Sequence, residues 1–413
     1  MNPLRRPAPP GRTSLQCLGH AFRDQPAAPP RRARRKIIPR LLAALGTGSL
    51  AATTLLAASP AALPADLAPY FSPPASAIAP PDPRRSPLLR ADGTRLTTAA
   101  DWALERAAIR ARWFALLGPW PDLLAAPKLE VVRTESRDDF TQQFIRLELA
   151  PGFVQDAILL VPRGPGPFPA VVVPFYEPAT SAGLAVTPAG TPTKPLRDFG
   201  AQLARRGFVA LCLGSPGGDA YRPVLAGAQC QPLAFLAYLA ANAHTALARL
   251  PHVDPARIGI VGHSYGGKWA MFASCLSDKF ACAVWSDPGI VFDETRPSIN
   301  YQEPWYLGLD PTITRPRGLV SAAAPRTGAY AQLVAQGHDL HELHALMAPR
   351  PFLVSGGAED TPARWPALTH ALAVNRLLGY DDRVAMTNRP AHDPTPESNA
   401  VLYRFLEHFL GAK

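Results

Sequence analysis

A serine, a carboxylate and a histidine brought together in space can open an ester, and this chain offers the three types in that order. Gly262-His263-Ser264-Tyr265-Gly266 reads GxSxG, between the apolar run Ile258 to Val261 and a helical pattern opening near Gly267. In a strand-turn-helix frame that spacing demands a sharp, strained turn that lifts the serine hydroxyl above a sheet. The flanking glycines let strand and helix approach, and the helix start places backbone N–H groups where an oxyanion would develop. A serine hydroxyl is a weak nucleophile until a base takes its proton. His392 follows the strand-like run Val384 to Thr387 and precedes the last helical pattern, a position from which a loop histidine can reach over the sheet. For the acid that orients the histidine, Asp360 is the first choice, in the turn Ser355-Gly356-Gly357-Ala358-Glu359-Asp360 after the strand Phe352 to Val354. Glu359 is its neighbour and rival, and Asp287, after the strand Ala281 to Trp285, is the third candidate.

Two donors are expected at the oxyanion: the backbone N–H of Tyr265, and one from the loop after the strand Ala170 to Phe175, where Tyr176 and Glu177 are the candidates. Lys268 and Trp269 follow the serine turn, and Trp285, Trp305 and Tyr306 lie near later strand ends. With Glu177 they form the candidate substrate-binding set, since aromatic faces and charged groups suit a sugar. His338, His341 and His344 spell HxxHxxH, but the third residue swings off the helix face shared by the first two. No nearby Cys or acid completes a tetrahedral set, so no metal and no cofactor is expected.

These residues need a scaffold. Leu129 to Thr134, Phe144 to Leu149 and Ala157 to Val161 are strand-like and separated by short turns, as antiparallel strands are. From Ala170 onward short apolar strands alternate with helical patterns, among them Leu196 to Arg206, Pro232 to Leu250, Gly267 to Ser277, Ala363 to Leu378 and Glu397 to Leu410. The alternation predicts an α/β fold, a doubly wound, mostly parallel sheet with antiparallel N-terminal edge strands and its site at the strand carboxyl ends. Thr97 to Leu117 reads as an amphipathic helix on Trp102, Leu104, Ala107, Ile109, Trp113 and Leu116.

The chain has 413 residues and a formal charge of +10. Residues 1–61 carry ten of the 42 basic residues and one of the 32 acidic ones, so the rest is nearly balanced, which argues against a nucleic-acid partner. The basic cluster Arg31 to Lys36, the apolar stretch Leu41 to Ala58 and small residues up to Ala61 have the build of an export signal. Arg34-Arg35-Lys36-Ile37-Ile38 resembles a twin-arginine signal. Cleavage after Ala61, a periplasmic or extracellular protein and no stable membrane insertion after cleavage are the expectation. Residues 62–88, rich in Pro and Ala, read as an unpacked linker, and 89–413 as one catalytic domain. Cys212, Cys230, Cys275 and Cys282 permit disulfides in an exported chain, with buried free thiols as the alternative.

The segment Asp254 to Gly267 resembles the nucleophile segment of dienelactone-hydrolase-like and acetyl xylan esterase-like proteins of the α/β-hydrolase superfamily. Ala345 to Val354 resembles the lead into the acid strand of bacterial carbohydrate esterases, and Leu89 to Thr98 the lead-in of glucuronoyl esterases. The last group usually carries Arg directly after the nucleophile, where this chain has Tyr265. The resemblance implies a serine esterase acting on acetyl or methyl esters of a polysaccharide, or on another small ester. A serine peptidase of the prolyl oligopeptidase type is the rival, disfavoured because only about 90 residues precede the core. An inactive hydrolase-fold binding protein is the rival of another class.

Overall fold

The computed structural model describes residues 62–75, 81–90 and 92–411. The export signal expected in residues 1–61 lies outside them. No helix among the described residues is long and apolar enough to cross a membrane.

Nine strands form one sheet in the order β1-β2-β3-β5-β4-β6-β7-β8-β9. They are β1 (Leu129–Ser136), β2 (Phe140–Ala150), β3 (Phe153–Pro162), β4 (Phe168–Pro174), β5 (Val209–Leu213), β6 (Val253–His263), β7 (Ala283–Ser286), β8 (Phe352–Gly356) and β9 (Val384–Asn388). Pairings from β1 through β3 to β5 are antiparallel, and the remaining five, from β5 to β9, are parallel. This is the predicted doubly wound arrangement with antiparallel strands at one edge.

The continuous apolar runs are explained by burial on both faces. In β4, Ala170 and Val172 join one core cluster while Val171 and Val173 join the other; in β8, Phe352 and Val354 oppose Leu353. The first face is covered by α1 (Ala99–Leu117), α4 (Pro232–Ala248), α5 (Tyr265–Leu276) and α8 (Trp365–Leu377), the second by α3 (Phe199–Arg205) and α9 (Pro396–Leu410). Two helices absent from the sequence reading are α2 (Pro178–Ser181) and α6 (Gly328–Ala335); α7 (His341–Leu346) starts three residues into the helical pattern that the sequence shows from His338 to Met347. In α1 the buried stripe is Trp102, Ile109, Trp113 and Leu117, and Leu104, expected on it, is exposed.

The expectation of an unpacked linker over 62–88 is corrected. Leu67 and Phe71 are buried in the second core, and Phe71 stacks on Phe405 of α9 at 6.2 Å. Arg84 pairs with Asp82 and Asp339, and the Arg85 carbonyl accepts from His341 Nε2 at 2.9 Å. Prolines set turns here while a few large apolar residues supply the burial that composition alone conceals. All four cysteines of the described part are buried free thiols, and burial pushes the Cys230 thiol up to about 11.

Candidate active site

β6 delivers the serine. It ends at His263, α5 begins at Tyr265, and between them Ser264 takes φ +56° and ψ −113°, a strained conformation for a non-glycine residue. The flanking glycines make that turn possible. A Cβ on Gly262 would stand 2.1 Å from the Gly266 carbonyl oxygen, and one on Gly266 would stand 2.1 Å from that of Pro174. The Ser264 N–H donates to Ser286 O at 2.8 Å, tying the turn to the end of β7.

The residue after β7 is Asp287, also strained at φ +50°. Its Oδ2 accepts from His392 Nδ1 at 2.7 Å, and its Oδ1 accepts backbone N–H groups from Gly357 at 2.7 Å and Asp360 at 2.9 Å, both in the turn after β8. The choice of Asp360 as the histidine's partner is therefore corrected to Asp287. Asp360 is buried and points the other way: its two carboxylate oxygens accept from the N–H groups of Gly289 and Ile290, in the turn after β7. Each aspartate thus caps the other's turn, and only Asp287 has an oxygen left for the histidine. Burial, with the nearby Asp287 charge, pushes the Asp360 carboxyl up to about 7. Glu359 accepts from Arg296 at 3.1 Å and does not reach the histidine.

His392 rides on the loop after β9, and a buried arginine fixes that loop. Arg389 donates from Nη2 to the His392 carbonyl at 2.6 Å, from Nε to Asp393 O at 2.8 Å and from Nη1 to Ser355 O at 2.7 Å. One guanidinium therefore ties the histidine loop to the end of β8. The His392 ring lies 4.7 Å from that of His263, the residue before the serine, and its side chain is 36% exposed while Asp287 is fully covered. No hydrogen bond joins Ser264 to His392 among the described residues; such bonds commonly tighten only when substrate binds. His263 donates or accepts at Ser286 Oγ, 3.1 Å away, and burial, with His392 beside it, holds it well below the usual imidazole range, hence neutral.

At the oxyanion side, Tyr265 is the first residue of α5, so its N–H is among the first-turn donors that the helix leaves unpaired. Tyr176 follows β4 and Phe175; its carbonyl accepts from the Ser215 N–H at 3.0 Å, its ring stacks on Tyr265 at 4.8 Å, and its hydroxyl neighbours that of Ser264. Burial pushes the Tyr176 hydroxyl up to about 12, so it remains a donor at neutral pH.

Of the residues expected to bind substrate, Lys268, Trp269 and Trp285 are placed elsewhere. Lys268 is buried, donates to the Pro288 carbonyl and sits 4.6 Å over the Tyr301 ring; burial brings it down to about 8. Trp269 is buried with its N–H on the Leu236 carbonyl. Glu177 is on the rim, paired with Lys194 at 2.7 Å, and Trp305 packs against Tyr221 and Tyr306. Trp285 is core, its N–H on Ser274 Oγ at 3.1 Å. The three histidines of HxxHxxH diverge: His338 bonds Glu342, His341 the Arg85 carbonyl, and His344 is buried 5.3 Å from the Trp285 ring. Among the described residues no group of three His, Cys, Asp or Glu could hold a metal ion. Arg389, the Tyr176 hydroxyl and His263 were missed by sequence reasoning; a lone arginine three residues before the histidine was the only signal for the first.

The strand order, the serine turn after β6 and the histidine loop after β9 define the class of fold: the chain has the α/β-hydrolase fold. The sequence pattern of the prolyl oligopeptidase family matches residues 240–365, under a third of the chain. Among solved structures, a glucuronoyl esterase from Solibacter usitatus is similar over 80% of this chain and 98% of its own, at 18% identity and TM-score 0.61. A glucuronoyl esterase from Teredinibacter turnerae is similar over 78% and 88%, at 18% identity and TM-score 0.56. A putative acetyl xylan esterase from Bacteroides fragilis is similar over 71% and 76%, at 17% identity and TM-score 0.50. No curated protein sequence matches the chain.

Proposed function

We propose that the protein is an exported serine esterase that cleaves carboxylic esters of carbohydrates through an acyl-enzyme. The observation that carries the reading is the 2.7 Å contact between His392 Nδ1 and Asp287 in the same sheet-end cluster as the strained Ser264 turn. Ser264 Oγ attacks the ester carbonyl and passes its proton to His392 Nε2, while Asp287 holds the imidazole in the tautomer that presents that nitrogen. The Tyr265 N–H and a Tyr176 donor receive the oxyanion. On collapse the histidine returns the proton to the leaving alkoxide. Water then repeats the sequence on the acyl-serine and frees the acid. Carbohydrate as the substrate class rests on the fold similarity to carbohydrate esterases, and export rests on the composition of residues 1–61.

A second reading, a peptidase, is favoured by the match of residues 240–365 to the prolyl oligopeptidase family. One experiment separates them: covalent labelling by a fluorophosphonate, then turnover of acetylated and methyl-esterified glycans beside a prolyl peptide amide. The esterase reading expects labelling that disappears in Ser264→Ala, and turnover of an ester at least tenfold above the amide. Amide cleavage with inert esters would reverse the assignment, and an unlabelled serine would remove both.

A further inference from the structure

A second cluster lies beside the site, on the loops after β5 and before α6. Arg317 has no carboxylate within ion-pair distance among the described residues. Its guanidinium lies 5.0 Å over the exposed Tyr221 ring and 5.5 Å over the Trp305 ring, which meet edge to face at 5.1 Å. The loop carrying it is not loose. Two residues earlier, Arg315 is fully buried, pairs with Glu303 at 3.1 Å and donates to the Gly318 carbonyl at 2.8 Å, while Glu303 accepts the Gly318 N–H at 2.8 Å. A buried ion pair thus anchors the chain on both sides of an unpaired, exposed cation.

The cluster also faces the reaction. Trp305 meets Tyr306 at 6.1 Å, Tyr306 meets Tyr265 at 6.3 Å, and the Tyr265 ring, next after Ser264, stacks on Tyr176 at 4.8 Å. The Trp305 indole N–H is buried and has no hydrogen-bond partner; the Tyr306 hydroxyl lies beside it without the geometry for a bond. An unsatisfied buried donor of this kind invites a ligand acceptor. A guanidinium stacked on aromatic faces keeps its edge N–H groups free, in the fork that matches a carboxylate. Other charges on this rim are Asp219, whose carboxylate accepts the Tyr221 N–H at 2.8 Å, and the internally paired Glu177 and Lys194.

We infer that Arg317, Tyr221 and Trp305 form a binding subsite for a carboxylate-bearing sugar, a free uronate unit next to the ester that Ser264 attacks. The inference deepens the esterase reading and rests on it for the position of the ester, but its test does not require turnover. Calorimetric titration of Ser264→Ala with a galacturonic acid disaccharide and with its neutral galactose counterpart should give affinity for the acidic sugar about tenfold higher, the scale of one charge-assisted hydrogen bond. Arg317→Gln should erase that preference with unchanged melting, and Arg317→Lys should restore only part of it, because an ammonium lacks the fork. Should Arg317→Gln fail to fold, about 0.5 M salt on the Ser264→Ala protein should weaken the acidic ligand alone. Equal affinities, no binding of the acidic disaccharide, or a preference that survives Arg317→Gln or salt would each overturn the subsite. Inactivity toward every ester, with the binding preference intact, would overturn the esterase reading and leave the subsite standing.

Discussion

Asp287 and Asp360 occupy matching places, each in the turn that leaves the carboxyl end of a parallel strand, and each is buried. They differ in what their oxygens meet. Asp287 takes its N–H donors from the neighbouring turn and turns Oδ2 to His392; Asp360 spends both oxygens on backbone donors of the turn after β7. Position at a strand end therefore does not make a carboxylate a partner of the base. What decides is which aspartate is left with a free acceptor facing the histidine loop.

The comparison breaks most sharply in activity. Asp287→Asn should lose about 10²- to 10⁴-fold in kcat with the fold retained, because the amide cannot hold the imidazole tautomer. Asp360→Asn should stay within about tenfold, since it acts on His392 only through the shape of the two turns. Steady-state hydrolysis of an aryl acetate by both variants decides it, and a dead Asp360→Asn beside an active Asp287→Asn would reinstate the sequence-based choice.

A smaller effect is expected from the residue that holds the loop. Arg389→Met removes the donors to the His392 and Asp393 carbonyls and should cut kcat about 10- to 100-fold, as misplacement of a catalytic group does. A positioning role requires that the loss fall on kcat rather than KM and that Arg389→Lys recover part of it. Loss of melting stability with unaltered kcat would assign Arg389 to the fold alone.

The finest distinction is in stability against pH. With its carboxyl raised to about 7 in the folded chain from an ordinary 3.8, Asp360 binds more proton folded than unfolded between those values. Its contribution to stability is then fully present below about pH 4 and is lost as pH rises toward 7. The stability advantage of the wild type over Asp360→Asn should shrink across that window, as read by denaturant unfolding at pH 4.5, about 5.5 and about 7. An advantage that grows with pH would mean an Asp360 held ionised by its two backbone donors.

Much of this was legible beforehand because periodicity and glycine spacing are local. The doubly wound, mostly parallel sheet followed from continuous apolar runs that a doubly covered sheet explains, and Gly262 and Gly266 stand where a Cβ would collide. The acid was not legible, since Asp287 and Asp360 both end strands and differ only in a hydrogen-bond exchange across about 70 residues of chain. Lys268 and Trp269 misled for a related reason. They follow the serine closely, but the helix turns them into the core, where Lys268 meets Tyr301 and Trp269 meets Leu236. Chemical suitability was visible in their types; direction was not.

The early segment bears on how the chain can be cut. Phe71 covers Phe405 and Phe409 on α9, Leu67 is buried in the same core, and Asp66 meets Arg404 at 3.2 Å. A protease that severed the chain after Phe71 would leave the plug in place as a bound peptide, whereas an expression boundary drawn at residue 88 would delete it. The α9 aromatics would then face water, and a truncation meant to tidy the protein would instead give it a sticky flank.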